Sequence, residues 1–191
     1  SRGQLGATRR RALHSARRSA MGALRSAPLH AISDISSLVM TIGYIGLGKM
    51  GRSMVLRLLE KGWEAVVYNR SPGPSEALAG DGAITTASLE ELVGKLAPPR
   101  LVWVMVSHGA VDAIFEKLLV QLEKGDTIVD GGNSPYKESI RRAHEFEAKG
   151  INFLDAGVSG GPAGARKGAC VMVGGRQEVF KKYENLFRDI A

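Results

Sequence analysis

Apolar and polar positions switch between two periods along most of this chain, and the switching predicts strand and helix in regular succession. Ile42-Gly43-Tyr44-Ile45 is a short apolar run. Behind it Met54, Val55, Leu58 and Leu59 share one helical face, while Arg52, Arg57 and Glu60 lie elsewhere. Gly62 stops that helix, and Glu64-Ala65-Val66-Val67-Tyr68 reads as a second strand. Ser88 caps a helix carrying Leu89, Leu92 and Val93, which Pro98-Pro99 ends. Leu101-Val102-Trp103-Val104-Met105-Val106 is apolar without alternation, as a strand buried on both faces should be. Val111, Ile114, Phe115, Leu118, Leu119 and Leu122 then recur at helical spacing. Residues 127–130 predict a strand, 136–148 a helix and 152–155 another strand. Strands alternating with helices predict a parallel α/β sheet.

The junction of the first strand and the first helix is Gly46-Leu47-Gly48-Lys49-Met50-Gly51. In a phosphate cradle the first glycine allows the tight turn, the second lets backbone approach a pyrophosphate, and the third lets helix pack on strand. The glycine triplet alone is weak, because such triplets occur in ordinary turns; the strand before it and the amphipathic helix after it carry the inference. That helix N-terminus offers free N–H groups and a positive dipole to phosphate. The pattern predicts an α/β fold, a doubly wound, mostly parallel sheet of Rossmann type with helices on both faces, and a dinucleotide as cofactor.

The end of the second strand bears on which dinucleotide. An NAD-preferring site places Asp or Glu there for the ribose 2′-OH, and that charge repels a 2′-phosphate. Here the residues are Asn69-Arg70-Ser71. Asn69 hydrogen-bonds without charge, Arg70 pairs with phosphate through its planar fork, and Ser71 adds a hydroxyl, so NADP is favoured over NAD. The alternative is that residues 69–74, ending in Pro72-Gly73-Pro74, make only a polar turn.

Ligands of such sheets bind at the carboxyl ends of the strands. Three polar, glycine-rich loops fall there: Ser107-His108-Gly109, Gly131-Gly132-Asn133-Ser134, and Gly157-Val158-Ser159-Gly160-Gly161. Ser134-Pro135 looks like an N-cap with proline at N1, which starts a helix with or without a ligand. Asn133 could hydrogen-bond a substrate hydroxyl, and Ser159, Gly160 and Gly161 could offer backbone N–H groups to an anion or simply make a turn. His108 is the weaker candidate, a contact to cofactor or substrate or a loop histidine without a role.

Composition changes the picture only at the amino end. Residues 1 to 40 hold seven arginines, no lysine and one acid, Asp34, so they carry +6 of the net +7 and the rest of the chain is near neutral. Basicity therefore gives no argument that the folded part binds nucleic acid. The Arg- and Ser-rich tail has the composition of an organellar transit peptide, or of a basic arm, though it lacks aromatics for stacking on bases. The favoured reading is that residues 1–39 are disordered and not native, with Met40 the expected start and 40–191 the cofactor domain. The single cysteine, Cys170, excludes an internal disulfide, suits a reducing cytoplasmic setting and sits in an apolar run as an expected small buried hydrophobe. No His/Cys spacing suggests a metal, and no apolar run is long enough to span a membrane.

Taken together, the Gly46–Gly51 loop, Asn69-Arg70-Ser71, Asp130-Gly131-Gly132-Asn133-Ser134, the run from Asp155 through Ser159-Gly160-Gly161 to Arg166, and Gly174-Gly175 resemble the amino-terminal domain of decarboxylating 6-phosphogluconate dehydrogenase. The similarity runs from about Met40 to the end, in spacing like the shorter bacterial branch. That branch often has an acid where this chain has Asn69, so the NADP assignment rests on Asn69 and Arg70 themselves. The resemblance implies hydride transfer from C3 of 6-phosphogluconate to NADP, loss of carbon dioxide from the β-keto acid, and reprotonation to ribulose 5-phosphate, a step of the pentose phosphate pathway. It also implies that Asn133, Ser159, Gly160 and Gly161 contact the sugar acid, with Asn133 near the cofactor too, and that Val106, Ser107 and His108 line the nicotinamide side.

The family's catalytic lysine, with its His-Asn and Glu companions, and the helical domain that makes the homo-oligomer are expected beyond residue 191. Lys167 and Lys181 do not match that motif, so the chain reads as a fragment with no catalytic residue of its own. Two alternatives compete: a 3-hydroxyisobutyrate-type β-hydroxyacid dehydrogenase, against which the paired glycines of Asp130–Ser134 argue, and a non-catalytic NADP-binding module.

Overall fold

The computed structural model describes residues 40–191, so the readings made for residues 1–39 lie outside the described residues. Seven strands form one sheet in the order β3-β2-β1-β4-β5-β6-β7. They are β1 (Thr41–Ile45), β2 (Glu64–Tyr68), β3 (Ile84–Thr85), β4 (Leu101–Val104), β5 (Thr127–Asp130), β6 (Asn152–Ser159) and β7 (Cys170–Gly175). All pairings are parallel except β6 with β7. The helices are α1 (Lys49–Glu60), α2 (Pro72–Ala79), α3 (Leu89–Gly94), α4 (His108–Leu119), α5 (Tyr136–Glu147), α6 (Gly161–Lys167), α7 (Gln177–Lys182) and α8 (Glu184–Ile190).

Strand alternation divides the core between the two faces of the sheet. Ile42, Tyr44 and Trp103 pack with Met54, Val55 and Leu58 of α1 and with Leu186 and Phe187 of α8. Ile45, Val102 and Val104 pack on the other face with Leu92 of α3, Phe115 of α4 and Phe146 of α5. Tyr44 and Trp103 stack at 6.1 Å between ring centroids beneath the first loop. Gly43 has no side chain for a packing reason: a Cβ there would fall 2.7 Å from Leu96 of the segment that follows α3.

Several boundaries differ from the pattern reading. Met105 and Val106 leave the sheet after Val104 and are only half-buried. Pro72-Gly73-Pro74, the end of the alternative polar-turn reading, open α2 instead, because proline is tolerated in a first helical turn. Helix α3 ends at Gly94, before the prolines, and α4 ends at Leu119, leaving Leu122 buried beyond it. Strand β6 continues through Ser159, since its far half pairs with β7. Cys170 is exposed, not buried: β7 is an edge strand, and apolar sequence there does not guarantee cover on both faces.

Candidate functional site

The strand order reverses between β1 and β4, so the loops leaving them diverge and open a crevice at the carboxyl edge of the sheet. The cleft there encloses about 410 Å³. The turn after β1 forms one wall, the segment from Tyr68 to Ser71 after β2 a second, and Met105, Val106 and Ser107 after β4 the third.

Three glycines shape the first wall, for two different reasons. Gly46 has φ 97°, its N–H donates to the Tyr68 carbonyl at 3.0 Å, and a Cβ would lie 2.2 Å from the Met105 carbonyl oxygen. Gly51 is buried against the turn, where a Cβ would lie 2.1 Å from the Gly46 carbonyl oxygen. Gly48 is exposed, with nothing within 4 Å of a Cβ, and it caps α1 without any side-chain hydrogen bond. Gly46 and Gly51 are glycine because protein approaches, Gly48 because space is left open over free helix N–H groups. Between them Leu47 is buried, Met50 half-buried and Lys49 exposed.

At the second wall Asn69 is hydrogen-bonded to the protein through both ends of its amide. Its Oδ1 accepts the Leu47 N–H at 2.9 Å and its Nδ2 donates to the Ser71 carbonyl at 2.9 Å. Arg70 and Ser71 are exposed in the cleft, and Arg70 makes no ion pair among the described residues. Sequence reasoning missed Lys117, which faces the same cleft from α4 together with Ala110 and Ile114. The signal was present: positions 110, 114 and 117 fall on one helical face.

Val106 and Ser107 line the cleft, whereas His108 is the exposed first residue of α4 and stands outside that lining. The loop after β5 touches the loop after β4, since a Cβ on Gly132 would lie 3.1 Å from the Val106 carbonyl oxygen. A Cβ on Gly131 would lie 2.3 Å from Trp103 Nε1, so the backbone passes flush over that ring. Asn133 is exposed with φ 58°, and its Oδ1 is 3.8 Å from where a Gly157 Cβ would be. Gly157 and Ser159 share one face of β6, so the structure brings Asn133 and Ser159 to the same face. Gly160 and Gly161 follow with φ 133° and 60°, a left-handed entry into α6 that bears no side-chain cap.

Ser134 is not an N-cap, because Pro135 takes that place and the Ser134 hydroxyl turns instead to Asp130, donating to Oδ2 at 2.8 Å. Beneath the loop, Arg142 is 1% exposed and Asp130 0%. Asp130 entered the sequence reading only as the first residue of its motif, and Arg142 not at all, since it stands among the charges of an amphipathic helix. Asp155, two residues before Gly157, accepts from the Ser139 hydroxyl at 3.1 Å, and burial raises its carboxyl above the ordinary aspartate value. No group of three or more His, Cys, Asp and Glu that could hold a metal occurs among the described residues, and no helix among them is long and apolar enough to cross a membrane.

Residues 41–191 match the family model described as the NAD binding domain of 6-phosphogluconate dehydrogenase. YqeC of Bacillus subtilis, whose 6-phosphogluconate dehydrogenase name is provisional, is 47% identical over 152 residues, 80% of this chain and 51% of that protein. The decarboxylating 6-phosphogluconate dehydrogenase of Cunninghamella elegans is 42% identical over 159 residues, 80% of this chain and 33% of that protein. Among solved structures, the Plasmodium falciparum 6-phosphogluconate dehydrogenase, determined in its apo form and with NADP+ and 6-phosphogluconate, aligns with a TM-score of 0.75 at 35% identity, over 79% of this chain and 34% of that one. The chain thus spans about half the length of the first of these relatives and a third of the other two.

Proposed function

The chain belongs to the family of 6-phosphogluconate dehydrogenase NAD-binding domains, and from that premise we propose that it binds NADP across the β1/β4 crevice and serves the oxidative decarboxylation of 6-phosphogluconate to ribulose 5-phosphate. The observation that carries the reading is the open space over Gly48, set between two glycines that the protein itself presses upon. A pyrophosphate placed there meets the uncapped N-terminus of α1.

Arg70 favours the phosphorylated dinucleotide, because its guanidinium has no ion-pair partner among the described residues and faces the cleft beside Ser71. Lys117 adds positive charge from the opposite wall. Asn133 and Ser159 hold the sugar acid by side chain, and Gly160 and Gly161 by backbone N–H. Val106 and Ser107 border the nicotinamide, with His108 just beyond them. Hydride acceptance is the chemistry the cofactor supplies when bound, and the ketone so formed is the electron sink for loss of carbon dioxide.

The test is a titration of the full chain with NADPH, followed by nicotinamide fluorescence, with and without 6-phosphogluconate. Two ligands that share one cleft change each other's affinity. Saturable NADPH binding that 6-phosphogluconate alters supports the reading. A response to 3-hydroxyisobutyrate in its place would move the chain to the other dehydrogenase chemistry, and no NADPH binding at all would remove the cofactor assignment.

A further inference from the structure

We propose that Asp130, with its buried counter-ion Arg142, is the positioning clamp that presents Asn133 to the ligand, a role that rests on the reading of the cleft above. One carboxylate grips the chain on both sides of Asn133. Its Oδ1 accepts the Gly132 N–H at 3.0 Å, and its Oδ2 accepts the Ser134 hydroxyl at 2.8 Å. With residues 132 and 134 both drawn back toward Asp130, the residue between them is pushed outward. Asn133 is the one non-glycine residue with positive φ among the described residues, and it is exposed. Left-handed backbone is unfavourable where a Cβ is present and persists only where the surroundings over-determine it. Asn tolerates it better than most residues.

Arg142 fixes the clamp in turn. Its Nη1 donates to Asp130 Oδ2 at 3.2 Å and to the Ser134 hydroxyl oxygen at 2.8 Å, and its Nε donates to Asp112 Oδ1 at 2.8 Å. The guanidinium carbon lies 5.5 Å from the centroid of the Phe115 ring. Ser134 thus passes a hydrogen bond from the cation to the anion, and the three side chains close a triangle under the loop.

A buried ion pair is weak evidence of added stability, since apolar side chains of the same volume often do as well. Apolar side chains could not take hold of an N–H on one side of Asn133 and a hydroxyl on the other. Directional grip at these two points is what the charges provide, and the residue they frame is the one that stands at the Gly157 face of β6.

The experiment uses Ser134→Thr and Ser134→Val, a pair of equal shape that differ in a hydroxyl against a methyl. In the isotopically labelled full chain without ligand, the three-bond HN–Hα coupling of Asn133 reports its backbone angle. Titration of the NADPH complex with 6-phosphogluconate reports the consequence. Ser134→Thr is expected to keep the wild-type coupling and affinity. Ser134→Val is expected to change the coupling and weaken sugar-acid binding roughly tenfold, while NADPH affinity stays within about twofold. An unchanged Asn133 coupling in Ser134→Val overturns the clamp, as does equal loss of sugar-acid binding in both variants. If the wild-type chain itself takes up no 6-phosphogluconate, the substrate reading fails and the coupling alone decides the clamp.

Discussion

The Leu47 backbone N–H donates to Asn69 Oδ1 at 2.9 Å, tying the turn after β1 to the end of β2. The other end of the same amide donates to the Ser71 carbonyl, so Asn69 is committed at both ends to the protein. Asn69 thus braces the turn, one lone pair on Oδ1 and one N–H on Nδ2 remain to it, and Arg70 and Ser71 beside it are exposed in the cleft.

Asn69→Asp separates the two roles. The carboxylate keeps an acceptor for Leu47, loses the donor to Ser71 and places a negative charge where the 2′-phosphate is proposed to sit. NADPH affinity should fall relative to NADH by about tenfold or more, which is about 1.4 kcal/mol. Competitive titration with the two nucleotides reads this ratio, and a ratio equal to that of the wild type contradicts the assignment.

Gly48→Ala and Gly51→Ala should behave oppositely. At Gly48 the added methyl meets nothing in the protein, so the melting temperature is expected to stay put while NADPH binding weakens. At Gly51 it would lie 2.1 Å from a backbone oxygen, and overpacking of this kind costs about 1–3 kcal/mol. Thermal unfolding of both variants alongside nucleotide titration distinguishes the ligand's glycine from the fold's. A stability loss at Gly48 as large as that at Gly51 would mean that the open space is not reserved for a ligand.

Asp155 gives the protein a pH signature. Burial raises its carboxyl, the Ser139 hydroxyl pulls it back, and the neighbouring Asp130 charge adds to the rise. The folded state therefore holds this proton more tightly than the unfolded chain, so its contribution to stability is full below the ordinary value of about 3.9 and lost as pH climbs through the raised one. Asp155→Asn removes that loss. In urea unfolding, the variant should gain on the wild type as pH rises through this window and then hold a constant advantage; a difference that is flat, or that shrinks, contradicts the burial account.

The fold and the cofactor wall were legible because they are local. Three glycines at fixed offsets between an apolar run and an amphipathic helix carry their meaning within about twenty residues, and the buried strands β4 and β5 announce themselves by composition. The clamp was not legible, because Arg142 meets Asp130 and Asp112 across separations of 12 and 30 residues, and on its helix it looks like one more solvated charge. Cys170 misled for a similar reason. Strand-like apolar sequence does not say whether a strand lies inside the sheet or at its rim, and β7 lies at the rim.

In the proposed complex Arg70 pairs with the extra phosphate of NADP in the β1/β4 crevice. The measurement is titration of Arg70→Ala and the wild type with NADPH and NADH. NADPH affinity is expected to drop by roughly tenfold or more while NADH affinity barely moves, as loss of a charge-assisted phosphate contact requires. Unaltered NADPH affinity in Arg70→Ala, or a wild-type chain that prefers NADH, would rule out this role for Arg70.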